Sequence, residues 1–129
     1  MNDLEVLNNS TKVAVIGMNA DPKKYANKIY RKLKEHDKTV FGVNPNYSEI
    51  DGDPIYTTIN DINDTVDLAV MVVAPKHGIN MLEDIKAKGI NKLWLQPGTI
   101  SDELIAKAHD LELETIESCV LKVYYDNAQ

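Results

Sequence analysis

Small and cationic residues follow an apolar, β-branched segment near the start of the chain. The segment Val13–Ile16 ends at Gly17, and a short polar turn leads to Lys23 and Lys24. A strand that ends on glycine before a helix directs backbone N–H groups and the positive end of the helix dipole to one spot. Two lysines in a first helical turn oppose that dipole unless an anion binds beside them. These residues therefore predict a phosphate-binding turn.

The class of phosphate ligand is narrowed by motifs that the sequence lacks. No Walker A pattern occurs, which excludes ATP hydrolysis by that route. The three-glycine dinucleotide pattern is incomplete, because only Gly17 is present and Asn19 and Pro22 occupy the later positions. The second strand ends in Asn44-Pro45 instead of the Asp or Glu that holds the ribose of NAD. These features disfavour NAD and favour a nucleotide whose ribose carries a phosphate.

Alternating strand-like and helix-like segments must position this turn. Asp21 is predicted to cap the first helix, with Pro22 at its first position and Ala26, Ile29, Tyr30 and Leu33 on its apolar face. Further helices are predicted after Thr58, around Met81–Ile85 with Gly89 beyond the end, and over about Ser101–His109. The predicted strands are Val13–Ile16, Thr39–Val43, Ile55–Thr57, Leu68–Val73, Leu93–Leu95 and Leu111–Ile116, with Ile55–Thr57 and Leu111–Ile116 at sheet edges.

This alternation predicts one α/β domain over residues 1–129, with its core at about 12–123. The expected architecture has three αβα layers around an open, mainly parallel sheet of five or six strands in the order 3-2-1-4-5. In that order the chain reverses direction between the first and fourth strands, and ligands bind at such a point. Gly17–Asn19, Asn44-Pro45 and Ala74–Lys76 are predicted to meet there, with Lys76 as a third cation.

Composition sets the broad class of the protein. The chain has 129 residues, of which 43% are hydrophobic and 26% charged, as expected for a globular domain. A net charge of −6 disfavours a nucleic-acid binder. The single Cys119 cannot form an intrachain disulfide, and neither a signal peptide nor a membrane-length apolar run is found. We expect a cytoplasmic protein that binds neither nucleic acid nor membrane.

Many of these residues also occur, in the same order and spacing, in a known family. The matching residues are Val15–Gly17, Asp21-Pro22, Lys24-Tyr25, Val43–Pro45, Tyr47, Ile50, Gly52, Tyr56, Asp61-Ile62, Val66–Leu68, Ala74–Lys76, Trp94–Gln96 and Cys119. From about Lys12 to Val123 the chain resembles the small stand-alone CoA-binding proteins. Their fold is similar to the Rossmann-like CoA-binding domain of the succinyl-CoA synthetase α-subunit.

The resemblance implies a site for coenzyme A (CoA) or an acyl-CoA. The turn Gly17–Ala20 is expected to contact the phosphates, with Lys24 and Tyr25 nearby, and Asn44, Pro45 and Tyr47 to border the adenosine and its 3′-phosphate. Ala74–Lys76 would wall the adenine or lead the pantetheine arm outward, with Gln96 farther along. The implied binding residues are Gly17, Met18, Asn19, Ala20, Lys24, Tyr25, Asn44, Pro45, Tyr47, Ala74, Pro75, Lys76 and Gln96.

Two positions depart from the family pattern. Met18 stands where alanine is frequent, and its bulk is expected to crowd a phosphate. Asn46 stands where a basic residue is frequent, so one phosphate partner is expected to be missing.

No catalytic residue and no metal site is predicted. The three histidines are dispersed, and Cys119 is expected to be a small buried hydrophobe, with a mixed disulfide to the CoA thiol as the alternative. The first hypothesis is therefore a non-catalytic CoA-binding domain. An NAD(P)-dependent or acyl-CoA-processing enzyme completed by a homodimer or a partner subunit remains open. So does a regulatory interaction module with a vestigial nucleotide site.

Overall fold

A computed structural model describes residues 1–128 of the chain. Its strands are β1 (Lys12–Ile16), β2 (Thr39–Val43), β3 (Glu49–Ile50), β4 (Asp53–Tyr56), β5 (Leu68–Met71), β6 (Lys92–Leu95) and β7 (Glu114–Glu117). Its helices are α1 (Asp3–Asn9), α2 (Tyr25–Glu35), α3 (Pro75–Gly78), α4 (Leu82–Ala87), α5 (Asp102–Asp110) and α6 (Val120–Asp126). Short 3₁₀ helices cover Ile59–Asp61 and Ile79–Met81.

Within these residues the strands form one seven-stranded sheet in the order β3-β4-β2-β1-β5-β6-β7. All neighbours are parallel except the β3–β4 hairpin. The α/β class and the central order are confirmed, because β4-β2-β1-β5-β6 is the predicted 3-2-1-4-5. The strand count is higher than five or six, since the two-residue β3 pairs outside β4. Consequently β4 is not the sheet edge that the sequence predicted.

The core occupies both faces of the sheet. Along β1, Val13 and Val15 pack with α1, α2 and α6, whereas Ala14 and Ile16 pack with α4 and α5 on the opposite face. This alternation places helices on both faces and produces the three layers. Leu7 of α1 is fully buried, so α1 belongs to this core although it lies outside the predicted range 12–123.

The first βα connection differs from the prediction. Helix α2 begins at Tyr25 instead of Pro22. The carboxylate of Asp21 accepts the backbone N–H of Lys23 at 2.9 Å, and its carbonyl accepts that of Lys24 at 3.0 Å. Asp21 thus caps a turn before the helix, because an Asx side chain can satisfy a turn as well as a helix. Lys24 is the N-cap residue, and both lysines precede the first helical turn.

Two predicted strands shift at their ends. The last strand is Glu114–Glu117 and not Leu111–Ile116, because α5 ends in a turn in which Glu112 has φ 60°. Its position at the sheet edge is confirmed. The strand predicted over Leu68–Val73 ends at Met71, and Val72 and Val73 continue as a loop beside Gly17.

Candidate functional site

The last residues of five adjacent strands, β2, β1, β5, β6 and β7, are aligned with one another. We call this end of the strands the carboxyl edge of the sheet. Ile16 of β1 is aligned with Val43 of β2 and Met71 of β5, Met71 with Leu95 of β6, and Leu95 with Glu117 of β7. The segments that follow these residues therefore share the edge. They are Gly17–Ala20, Asn44–Tyr47, Val72–Lys76, Gln96–Thr99 and Ser118-Cys119.

Gly17 is required by its conformation and by its neighbours. Its φ is +99°, and a Cβ there would lie 2.8 Å from Cγ1 of Val73 and 3.2 Å from the Val72 backbone. The N–H groups of Gly17 and Met18 both donate to the carbonyl of Val43, at 2.9 and 3.1 Å. Because these two amides already have a partner, they tie β1 to β2 and are not free for a ligand.

The expectation that Met18 crowds the phosphate-binding turn is wrong. Its side chain is 1% exposed and packs in the core, where a Cβ at Gly42 would meet its Cγ at 2.9 Å. Its carbonyl accepts the side-chain amide of Asn44 at 2.7 Å. The buried side chain of Met18 therefore packs the turn against the core, and the hydrogen bond from Asn44 joins the turn to the loop after β2.

Free N–H donors lie farther along the same turn. The backbone N–H groups of Asn19 and Ala20 donate to no residue within 1–128. Lys24 caps α2 without a side-chain hydrogen bond, so the first-turn amides beginning at Tyr25 remain open. These donors and the helix dipole favour an anion at this position.

Two residues that the sequence reading missed hold this turn in place. Asn27 is 3% exposed, and its amide donates to the carbonyl of Asn19 at 2.9 Å. Its oxygen accepts Nε of Arg31 at 2.8 Å, and Arg31 also donates to the carbonyl of Pro22 at 2.9 Å. A polar residue on the otherwise apolar face of α2, followed four residues later by arginine, was the available signal.

Unpaired cations flank these donors. Lys23, Lys24 and Lys76 are exposed, and none makes a salt bridge within the described part of the chain. Lys76 lies at the second position of α3, directly after the β5 loop. Three cationic side chains therefore lie near the open amides, together with the exposed carboxylate of Asp21, in a chain whose net charge is −6.

Two cavities open on either side of the Gly17 turn. The smaller, about 200 Å³, is mainly apolar; among its lining residues are Ile16, Val43, Pro45, Met81 and Ile85. The larger, about 370 Å³, extends across the ends of β5, β6 and β7; among its lining residues are Tyr25, Ala74, Gln96, Thr99 and Cys119. Cys119 is partly exposed on this cavity and is not buried, so the expectation of a buried hydrophobe is wrong.

Gln96 lines the larger cavity and also holds two neighbouring elements together by hydrogen bonds. It is 3% exposed, and its Oε1 accepts Nε1 of Trp94 at 3.1 Å and the backbone N–H of Val120 at 2.8 Å. Gln96 thus satisfies the first amide of α6, whose N-cap Cys119 contributes no side-chain hydrogen bond. Its role in positioning α6 could not be read from the sequence, because the partner lies 24 residues away.

A CoA-binding domain family model matches residues 11–125. The chain belongs to this CoA-binding domain family. A curated relative, the ADP-forming acetate–CoA ligase I of Archaeoglobus fulgidus, is 38% identical over 78 residues, which are 60% of this chain and 11% of that protein. The α-subunit of the ADP-forming acetate–CoA ligase II of Pyrococcus furiosus is 34% identical over 88 residues, covering 67% of this chain and 19% of the subunit. The chain thus spans a fifth or less of the curated relatives it matches.

Solved structures of other small proteins share the fold of this chain. A hypothetical protein from Pyrococcus horikoshii superposes with a TM-score of 0.90 at 28% identity, covering 98% of this chain and 92% of that one. A conserved hypothetical protein from Pyrococcus furiosus has a TM-score of 0.77 at 34% identity, covering 83% and 91%.

The structure brings together most of the residues that were expected in the CoA-binding site. Ten of them lie at the shared edge around the turn and the two cavities: Gly17, Met18, Asn19, Ala20, Lys24, Tyr25, Asn44, Pro45, Ala74 and Gln96. Pro75 and Lys76 begin α3 at the same edge. Tyr47 packs instead against the core cluster on the α2 face and lines neither cavity.

Neither a metal-binding cluster nor a membrane-spanning helix is found among residues 1–128. No group of three or more His, Cys, Asp or Glu is arranged to hold a metal ion. In the same residues no helix has the length and apolarity that crossing a membrane requires.

Proposed function

We propose that this chain binds CoA or an acyl-CoA along the carboxyl edge of its sheet, as a binding domain and not as a catalyst. The observation that carries the proposal is the uncapped start of α2 beside Lys23 and Lys24, which have no anionic partner within residues 1–128. A diphosphate would accept the amides of Asn19 and Ala20 and those of the first helical turn. Membership of the CoA-binding domain family supports the choice of ligand.

The two cavities fit the two ends of this ligand. The smaller cavity has the apolar lining that an adenine ring needs, with Pro45 and Ile16 as walls. The larger cavity combines apolar residues with Gln96 and Thr99, which suits an arm that carries two amide groups. The exposed side chains of Lys24 and Lys76 would attract the phosphates, including the 3′-phosphate that distinguishes CoA from NAD.

Calorimetry with charge-reversed variants tests the proposal. Wild type is expected to bind CoA saturably, and Lys24→Glu to weaken binding about tenfold or more, since it replaces an attraction by a repulsion. Lys92→Glu is the matched control: it changes the net charge equally at the opposite end of β6, where Lys92 pairs with Glu114 at 3.4 Å. Absence of saturable binding at millimolar CoA, or equal weakening by both variants, would refute the proposal. NAD(H) or NADP(H) binding more tightly than CoA would identify a different ligand.

We further propose that the domain works with a second subunit or a second copy. The curated relatives that it matches are about four to six times as long as this chain, and two are named as α-subunits. Tyr25, at the mouth of the larger cavity, is 63% exposed and available to a partner. Light scattering of the purified chain with CoA tests the homodimer, which a monomeric mass at high concentration would exclude.

A further inference from the structure

The single thiol of the chain lies at the far end of the larger cavity. Cys119 follows β7, where the N–H of Ser118 donates to the carbonyl of Leu95 at 3.2 Å. Its partly exposed side chain lines the cavity together with Ala74 and Gln96. The thiol is therefore accessible from the cavity, and the hydrogen bond of Ser118 fixes its position at the carboxyl end of β7.

Gln96 provides a second and independent sign of a ligand at this point. Although Gln96 is 3% exposed, its Nε2 donates to no residue within 1–128. Among these residues the Tyr124 hydroxyl is the one fully enclosed side-chain polar atom without a partner. Nε2 of Gln96 is therefore open to the cavity. It is a donor without a protein acceptor, in the same cavity as the thiol, and it suits an amide carbonyl of a bound ligand.

The distance from the phosphate position to Cys119 matches the length of the pantetheine arm. The ends of β1 and β7 are separated by three strand spacings, about 14 Å in all. The arm from phosphate to sulfur has about as many bonds as four extended residues, which also span about 14 Å. With the phosphates at the start of α2, the arm would cross the larger cavity and bring the CoA sulfur to Cys119.

We infer that Cys119 exchanges disulfides with CoA and can hold it covalently; this inference rests on the proposed function. The thiol loses its proton to solvent, and the thiolate attacks one sulfur of a CoA disulfide. The bond between the two CoA sulfurs breaks, a bond forms between Cys119 and one CoA, and the other CoA leaves as a thiolate that takes up a proton. No other oxidant is needed, and a thiol reductant reverses the step. Occupancy of the site would then depend on the redox state of CoA.

Intact-mass spectrometry measures this exchange directly, because the chain has one cysteine. Reduced protein is mixed with CoA disulfide or, separately, with glutathione disulfide at equal concentration. We expect a single CoA adduct whose rate saturates with CoA disulfide and exceeds the glutathione rate by about tenfold or more, since bound reactants gain from proximity. Lys24→Glu should slow the CoA reaction and leave the glutathione reaction unchanged, whereas Lys92→Glu should change neither.

Calorimetry of the reduced protein with reduced CoA separates the two proposals. Reversible CoA binding combined with equal exchange rates for the two disulfides would overturn the inference and leave the proposed function standing. A lack of reversible CoA binding would overturn the proposed function and, with it, the inference.

Discussion

The amino and carboxyl edges of the parallel sheet differ in how their polar groups are satisfied. At the amino edge, one oxygen of Asp67 accepts the backbone N–H groups of Thr11 and Lys12, both at 2.9 Å. Nζ of Lys12 lies 2.7 Å from Asp64, and Nζ of Lys38 donates to the carbonyls of Leu7 and Ser10. The fold thus supplies these charged groups with partners.

At the carboxyl edge the corresponding groups are left open. Helix α2 starts without a side-chain cap, and within residues 1–128 Lys23, Lys24 and Lys76 make no salt bridge. The difference indicates that the amino edge contributes to stability and that the carboxyl edge is organised for a ligand. The two edges should therefore respond differently to substitution.

The largest effect is expected for Gly17→Ala at the carboxyl edge. A positive φ disfavours alanine by about 1–3 kcal/mol, and the new Cβ would also crowd Val73 and the Val72 backbone. We expect lower stability in chemical denaturation and weaker CoA binding in calorimetry. Gly89→Ala is the matched control, because Gly89 has φ +93° but nothing within 4 Å of a new Cβ. Equal losses of stability would show that crowding at Gly17 is unimportant.

Asp67→Ala should lower stability and leave CoA affinity unchanged, whereas Lys24→Glu should lower CoA affinity. It removes two charge-assisted hydrogen bonds at the amino edge and is expected to lower the free energy of unfolding by about 1–3 kcal/mol. CoA affinity should stay unchanged in calorimetry at a temperature where the variant is folded. An affinity loss comparable with that of Lys24→Glu would break the distinction between the two edges.

Tyr124 has a polar group without a partner although it lies away from the carboxyl edge, on the α2–α6 face of the sheet. It therefore tests whether every unpartnered polar group indicates a binding site. It stacks on His36, with ring centroids 3.8 Å apart, and its buried hydroxyl has no partner within residues 1–128. We attribute the missing partner of this hydroxyl to the packing of the ring and not to a ligand. Tyr124→Phe is therefore expected to raise the free energy of unfolding at neutral pH by about 1 kcal/mol. CoA binding should be unchanged, and a loss of affinity would contradict this interpretation.

The same tyrosine predicts the behaviour of the protein in alkali. Burial raises the pKa of Tyr124 from 10.0 to about 12, because the folded state disfavours the charged phenolate. Its contribution to stability is therefore present below pH 10.0 and is lost as the pH rises towards about 12. Denaturation measured across this range should show a steeper loss for wild type than for Tyr124→Phe. A residual loss is expected in the variant, since burial also raises the pKa of Tyr30.

The smallest effect is expected from ionic strength. The lysines of the carboxyl edge are exposed, so salt screens their attraction for phosphate over about 10 Å at 0.1 M. CoA affinity measured by calorimetry should fall several-fold as salt rises, and less steeply for Lys24→Glu than for Lys92→Glu. Identical salt dependence of the two variants would exclude a specific role for Lys24.

Local patterns were sufficient for the central strands and for the meeting point of their loops. The apolar segments of β1 and β5 and the turn residues after them fixed the switch point, because a buried parallel strand must be apolar throughout. The family resemblance added the ligand. The start of α2 was misplaced because Asp21 can cap either a helix or a turn.

Features that depend on distant contacts were not predictable. The position of Met18 beneath the turn depends on the space left by Gly42. Gln96 stabilises the start of α6 across 24 residues, and α6 itself has no strong signal in its sequence. The spacing of Asn27 and Arg31 marks them as a polar pair on α2, but it does not identify the backbone carbonyls of Asn19 and Pro22 to which they donate.

The most direct test of the central claim is a titration of the ¹⁵N-labelled protein with CoA, followed through its backbone amide resonances. The largest shifts are expected for Asn19, Ala20 and the first turn of α2, with Gln96 also perturbed, while Thr11, Lys12 and Asp67 remain unchanged. Shifts concentrated at the amino edge, or none at millimolar CoA, would contradict the assignment of the carboxyl edge as the binding site.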